Sequence, residues 1–247
     1  MNFDVTIFWG ALLSWPFFYG ALITLGLAVA AHATAILMAV PMAIVLNGPP
    51  TILRKFVGAY VGFFRAAPTL LQLLFVWNAL PQFFPVFREE WFTPFFAAWI
   101  ALTLNESAYQ VEINRAALKA VDQGQMAAGQ ALGLKRSHIY RYIIVPQALR
   151  VAVPPTMNEF ITLLKLTSLA SVISLQELMT VTQINVARTF QFSEYYAVAL
   201  VYYLVMVYSL MGMQTRIERR FAWSDRATAV ERSKDSTEIV AAAGRGH

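Results

Sequence analysis

The chain has no cysteine and only three histidines among its 247 residues. A disulfide framework, a thiol nucleophile and a thiolate metal site are all excluded. His32, His138 and His247 lie far apart without HExxH-like spacing, so a zinc site finds no support. Charge is equally scarce: 13% of residues carry it, where a soluble domain has about 25%. Hydrophobic residues take up the difference, at 58%. This composition excludes an ordinary soluble enzyme and belongs to a polytopic membrane protein. Residues 1–16 hold Asp4 but no Lys or Arg, so the basic start of a cleavable signal is missing. The first hydrophobic segment is therefore expected to be retained.

A spanning helix needs about 20 mostly apolar residues, and five stretches meet this, roughly 17–46, 56–80, 92–118, 151–173 and 195–213. NGPP (Asn47–Pro50) closes the first and PQFFP (Pro81–Pro85) the second. Residues 3–14 read either as a short interfacial helix or as a frayed end. The net charge of +5 suits nucleic acid as well as a membrane surface, so the placement of the cations decides. Arg54 and Lys55 lie in the first connection. Arg115, Lys119, Lys135, Arg136, Arg141 and Arg150 lie in the third. Seven more follow residue 215, whereas Arg88 and Arg188 stand alone in the other two connections. The positive-inside rule then puts the N-terminus outside and the C-terminus in the cytoplasm. Three parts follow: an external or interfacial segment, 1–16; a membrane-embedded body, 17–215, with its longest cytoplasmic loop at 119–149; and a polar, mixed-charge tail, 216–247, expected to be disordered. No repeat of 20–50 residues is evident.

The loop between spans three and four contains GQALGLKRSHIYRYIIVPQALR, with four basic residues and no acid. Helix, glycine turn and helix is also the pattern of a DNA-reading module, but a segment tethered at both ends to a bilayer cannot reach a duplex groove. The bland reading is an interfacial loop carrying positive-inside charges. The finer pattern implies more. Gly133 is placed to end one helix in the left-handed conformation, a second helix is expected over 138–144, and Pro146 is expected to halt it. The small residues Ala127, Ala128, Gly129 and Ala131 suit close docking.

This segment resembles the EAA loop of permease subunits of binding-protein-dependent ATP-binding-cassette importers. The motif maps onto Ala127, Ala128 and Gly129, then Gly133, then Ile143, Val145 and Pro146. FFRAAPTLLQLLF (Phe63–Phe75), AYQVEINRAALKAVDQGQ (Ala108–Gln125) and PPTMNEFITLLKLTSLASVISLQEL (Pro154–Leu178) are similar to signatures of the polar amino acid branch, which serves histidine, glutamine, arginine and opines. The resemblance covers roughly residues 17–215. It implies an all-α membrane protein of about five transmembrane helices with a type I importer permease fold, in a bacterial inner membrane. It also implies three kinds of partner: ATPase subunits, a second permease in a homo- or heterodimer, and an external solute-binding protein. The chain departs from the pattern at Ala127, where the motif has glutamate, at Gly129, where it has alanine, and at Ala66, where the signature has glycine. Docking on the ATPase is then expected to rely on shape and on Gln125, Gln130, Lys135 and Arg136.

Ionisable residues at membrane depth are costly and face a bundle interior or a wet cavity. Arg65, Glu106, Glu112, Glu159 and Lys165 are the candidates here, and all but Glu106 match signature positions. Arg65, Glu106, Tyr109, Glu159 and Lys165 are the expected translocation-path set, with Gln110 adding a polar contact beside Glu106. Two structural alternatives stand beside the path role of Glu106: an interhelical hydrogen bond, or pairing with Lys165. His32 reads as a helix-packing donor, and Arg65 as a side chain able to snorkel. No GxxxxGK[ST] occurs, so ATP and Mg are expected on a partner chain and no cofactor or metal on this one. Glu106 and Glu159 with a remote His32 make a poor catalytic set, which argues against an enzyme. The competing function is a self-sufficient secondary transporter or channel, a class that usually shows repeats and more helices.

Overall fold

Proline and glycine decide where this apolar chain bends. The structure, a computed structural model, describes residues 3–243, with side chains as far as Arg219. Helices are its only regular elements among the described residues. The carboxylate of Asp4 caps a short helix, α1 (Val5–Leu12), by accepting from the N–H groups of Thr6 and Ile7 at 2.8 and 3.2 Å. The N-terminal segment is therefore a capped helix rather than a frayed end. α2 (Trp15–Asn47) is about 50 Å long at 1.5 Å per residue. Its buried face runs through Ala28, Ala31, Ala35, Ala39 and Ala43, and such small side chains let a neighbouring helix approach closely.

The expected second span is broken. α3 (Ile52–Ala66) stops before Pro68, and the next helix runs through α4 (Thr69–Leu74), a wide turn (Phe75–Ala79) and α5 (Leu80–Phe83), bent by 106° from the first. The cause is local. Pro68 has no N–H to continue the ladder and pushes Ala67 out of helical geometry, to φ −77° and ψ 138°. Two carbonyls at the break are paired by side chains, which bilayer depth favours. Gln72 Nε2 donates to the carbonyls of Phe64 and Ala67 at 2.9 and 2.8 Å, and Asn105 Nδ2 donates to that of Phe64 at 3.0 Å.

α6 (Pro94–Ala120) lies at the centre and packs against α2, α3, α4 and α9. Among the described residues, only α2 and the stretch Phe192–Arg219 are long and apolar enough to cross a membrane unaided. α6 is not, because Asn105, Glu106, Ser107 and Gln110 make it too polar; all four are buried inside the bundle. After α7 (Gln123–Ala131) and α8 (Arg136–Ile139), the backbone passes through a wide turn (Tyr140–Ile144) directly into α9 (Val145–Leu166) and a tighter turn to Ile173. Pro146 therefore does not halt a helix. It sits in the first turn of α9, and the wide turn just before it makes room for the ring.

α10 (Leu178–Thr189) was not anticipated from the sequence. Ser174 and Phe190 bracket it in left-handed conformations, with φ 62° and 59°. α11 (Phe192–Ala243) is helical throughout its described length, where the sequence reading expects an unstructured tail from 216. No glycine or proline interrupts residues 213–243, and alanine, glutamate and arginine recur there, all favourable in helices. By compactness the chain divides into residues 1–208 and 209–247. In the second unit Gln214 Nε2 donates to Glu218 Oε1 at 2.9 Å.

Candidate functional site

Two regions collect the residues singled out above. The first is a polar seam where α2, α6 and α9 meet. Glu106 and Gln110, one helical turn apart on α6, are 2% and 0% exposed. Nδ1 of His32 lies 3.0 Å from Glu106 Oε1, and Gln110 Nε2 donates to the same oxygen at 2.9 Å. Thr156 Oγ1, on α9, donates to Gln110 Oε1 at 3.1 Å, and the His32 ring stacks on Phe160 at 4.7 Å. Three helices are thus joined through side chains whose alternative is an unpaired polar group in a low-dielectric interior.

The side chain facing Glu106 is therefore His32, not Lys165. Lys165 is exposed and makes no ion pair among the described residues. It stands six positions beyond Glu159, which places the two on different faces of α9. Glu159 is half-buried and within electrostatic reach of Glu106, His32 and Arg65. The Arg65 guanidinium lies over the Tyr109 ring, 5.5 Å from its centre, in a cation–π contact. Glu112 is held by Arg115, one turn along α6, at 3.0 Å.

Several buried polar residues escaped sequence reasoning. Tyr60 donates to the carbonyl of Leu104 at 2.9 Å and lies 2.6 Å from Ser107 Oγ, tying α3 to α6. Glu177 is fully buried and caps α10 by accepting from the Thr180 N–H at 2.8 Å. Thr24 of α2 donates to Glu177 at 3.2 Å, and Tyr203 of α11 donates at 3.4 Å. Gly20 makes this junction possible. A Cβ there would stand 3.1 Å from the backbone of Leu178. No sequence signal pointed to this cap, because Glu is not among the preferred N-cap residues and Thr24 lies 153 positions away.

The second region is the knob formed by α7 and α8. Gly133 has φ +73°. Its N–H donates to the carbonyl of Gln130 at 2.9 Å, and that of Leu134 reaches back to Gly129 at 3.0 Å. This pair of bonds is the Schellman termination expected for a glycine at this place. Gly129 is the other pivot: a Cβ there would fall 2.8 Å from Ile139 Cγ1, so α8 lies directly on the bare backbone of α7. Gln125, Ala127 and Ala128 are exposed, as are Val145 and Pro146, while Ile143 is half-buried. Beneath the knob lies a groove of about 1280 Å³ between α7, α9 and the ends of α2 and α6, lined in part by Asn114, Lys119, Ala127, Gln130 and Arg136.

A knob built on a left-handed glycine and joined to a bundle of bent, apolar helices narrows the choice of family. Residues 33–223 match the model of the binding-protein-dependent transport system inner membrane component. The chain belongs to this family. As a permease component it is 40% identical over 210 residues to the probable amino-acid permease protein YxeN of Bacillus subtilis (strain 168), which covers 83% of this chain and 93% of that one. It is 33% identical over 221 residues to the glutamine transport system permease protein GlnP of Escherichia coli (strain K12), covering 89% and 98%. A crystal structure of an amino acid ABC transporter with histidines superposes with a TM-score of 0.78 at 32% identity, over 89% of this chain and all of that one. The permease fold expected from the sequence is thereby the fold observed.

Proposed function

We infer that this chain is the membrane-spanning subunit of an ATP-driven importer for a polar amino acid or a similar small solute. Its N-terminus would face outward and its knob the cytoplasm. The relatives named for amino acid transport support the substrate class, and the clustering of Lys and Arg supports the orientation. One observation carries the mechanism: backbone helix runs without interruption from Arg136 in the knob to Leu166 of α9, past Thr156 and Phe160 of the seam. Closure of ATPase subunits against the knob would move that helix as a rigid lever and reset the seam. ATP and Mg belong to the partner, the solute-binding protein delivers substrate, and no bond is made or broken in this chain.

On this reading Arg65, Tyr109, Glu159 and Lys165 border the path. Glu106 acts from behind it, holding α2 and α6 against α9. A second permease copy, the same or a sister chain, completes the path. The test is uptake into vesicles holding the assembled complex, with labelled glutamine, histidine, arginine and glutamate. ATP-dependent, vanadate-sensitive uptake of at least one is expected. Uptake by this chain alone, without ATP, would establish the self-sufficient transporter instead.

A further inference from the structure

The knob is lopsided in charge. From Gln123 to Arg150 the chain has no Asp or Glu, yet it carries Lys135, Arg136, Arg141 and Arg150. Asp122, just before it, is occupied in capping α7, accepting from the Gly124 N–H at 2.6 Å. Arg141 lies over its own neighbour, 5.6 Å from the Tyr142 ring centre. Arg136 has no such partner. It is exposed, lines the groove with Ala127 and Gln130, and makes no ion pair among the described residues.

Around it the surface is apolar: Leu132 is 79% exposed, Tyr142 64% and Leu134 42%. Leucines this exposed beside a rigid turn are suited to burial in a partner. Burying them removes water from the adjacent guanidinium as well, and a cation losing its water must find a carboxylate or weaken the contact. Among the described residues the one carboxylate lining the groove, that of Asp122, accepts from the Gly124 N–H and makes no ion pair with Arg136, and Ala127 adds only a methyl to the lining.

Resting on the reading of the knob as the ATPase contact, we propose that the ATPase surface receiving it carries a carboxylate that enters the groove beside Ala127 and pairs with Arg136. The apolar residues seat the knob, and the ion pair sets its register. Discrimination between partners then lies on the ATPase as an acid and on this chain as a base.

The test uses the detergent-solubilised complex with the ATPase subunit that assembles with the wild-type chain, titrating that subunit onto wild-type and variant permease. Arg136 is exposed, so Arg136→Glu leaves the fold intact, which a monodisperse elution profile checks. Arg136→Glu is expected to weaken association on the order of tenfold or more, and Arg136→Lys far less. High salt should weaken the wild type but not Arg136→Glu. Ala127→Glu, which places an acid in the same groove, should also weaken association. Tighter or unchanged binding of Ala127→Glu would show a cation on the partner and overturn the proposal. Wild-type affinity of Arg136→Glu, with association abolished in Gly133→Arg, would keep the knob as the contact and refute the carboxylate. Wild-type affinity in both variants would remove the knob from the ATPase interface altogether. A loss confined to bilayer discs of anionic lipid, absent in detergent, would assign Arg136 to lipid headgroups and refute the proposal equally.

Discussion

His32 shows how one residue changes the meaning of another. Glu106 alone in an apolar helix looks like a charge waiting for substrate, but a ring nitrogen at 3.0 Å and an amide at 2.9 Å already occupy Oε1. Removing the ring in His32→Ala leaves the buried Glu106 side chain short of a hydrogen-bond partner, at a cost of about 1–3 kcal/mol. Glu106→Gln keeps a hydrogen-bonding oxygen and should cost less. The double variant should lose less than the sum of the singles, since both act through one contact. Thermal unfolding of the four proteins in detergent measures this, and full additivity would show that the two residues do not interact. The pairing was not readable from spacing, because 74 positions separate the partners.

Among the elements, the α7–α8 turn was the most legible. A left-handed residue almost dictates glycine, and Gly133 stood in the gap between the two helical patterns of this loop. Gly133→Ala forces a Cβ into φ +73°, costing about 1–2 kcal/mol. It should reduce ATP-driven uptake while leaving membrane insertion unchanged. Normal uptake would mean that the turn is not stressed during coupling. Gly129 was read as a motif position and as a small residue suited to docking on a partner, whereas it is the contact point for Ile139 within the knob itself. The break at Pro68 and the whole of α10 were missed for one reason. Periodicity identifies apolar faces, but it says nothing of a helix whose ends are paired by side chains from elsewhere, as Gln72 and Asn105 pair α3 and as Thr24 steadies α10.

Orientation in the bilayer belongs to the molecule rather than to any element. Cysteine scanning suits a chain with no native cysteine. Ser137→Cys, in the knob, should resist an impermeant thiol reagent in intact cells and react once the membrane is opened. Asn2→Cys should react from outside. Labelling of Ser137→Cys in intact cells would invert the topology and take the knob away from any cytoplasmic partner.

Composition, the five apolar stretches, the clustering of cations and the position of Gly133 were determined by the sequence alone, because each depends on the chemistry of neighbouring residues and on the bilayer as solvent. The residues carrying the family resemblance were equally plain in the chain. What depended on tertiary structure were the partners: His32 for Glu106, Tyr109 for Arg65, Ile139 for the bare backbone of Gly129, and Thr24 with Tyr203 for Glu177. Each joins distant or differently folded segments, and only packing decides which group meets which. The same packing turned α6, which composition makes too polar to cross a membrane unaided, into the central helix of the bundle. Its polar residues are directed at other helices, where their hydrogen bonds replace the water they would otherwise require.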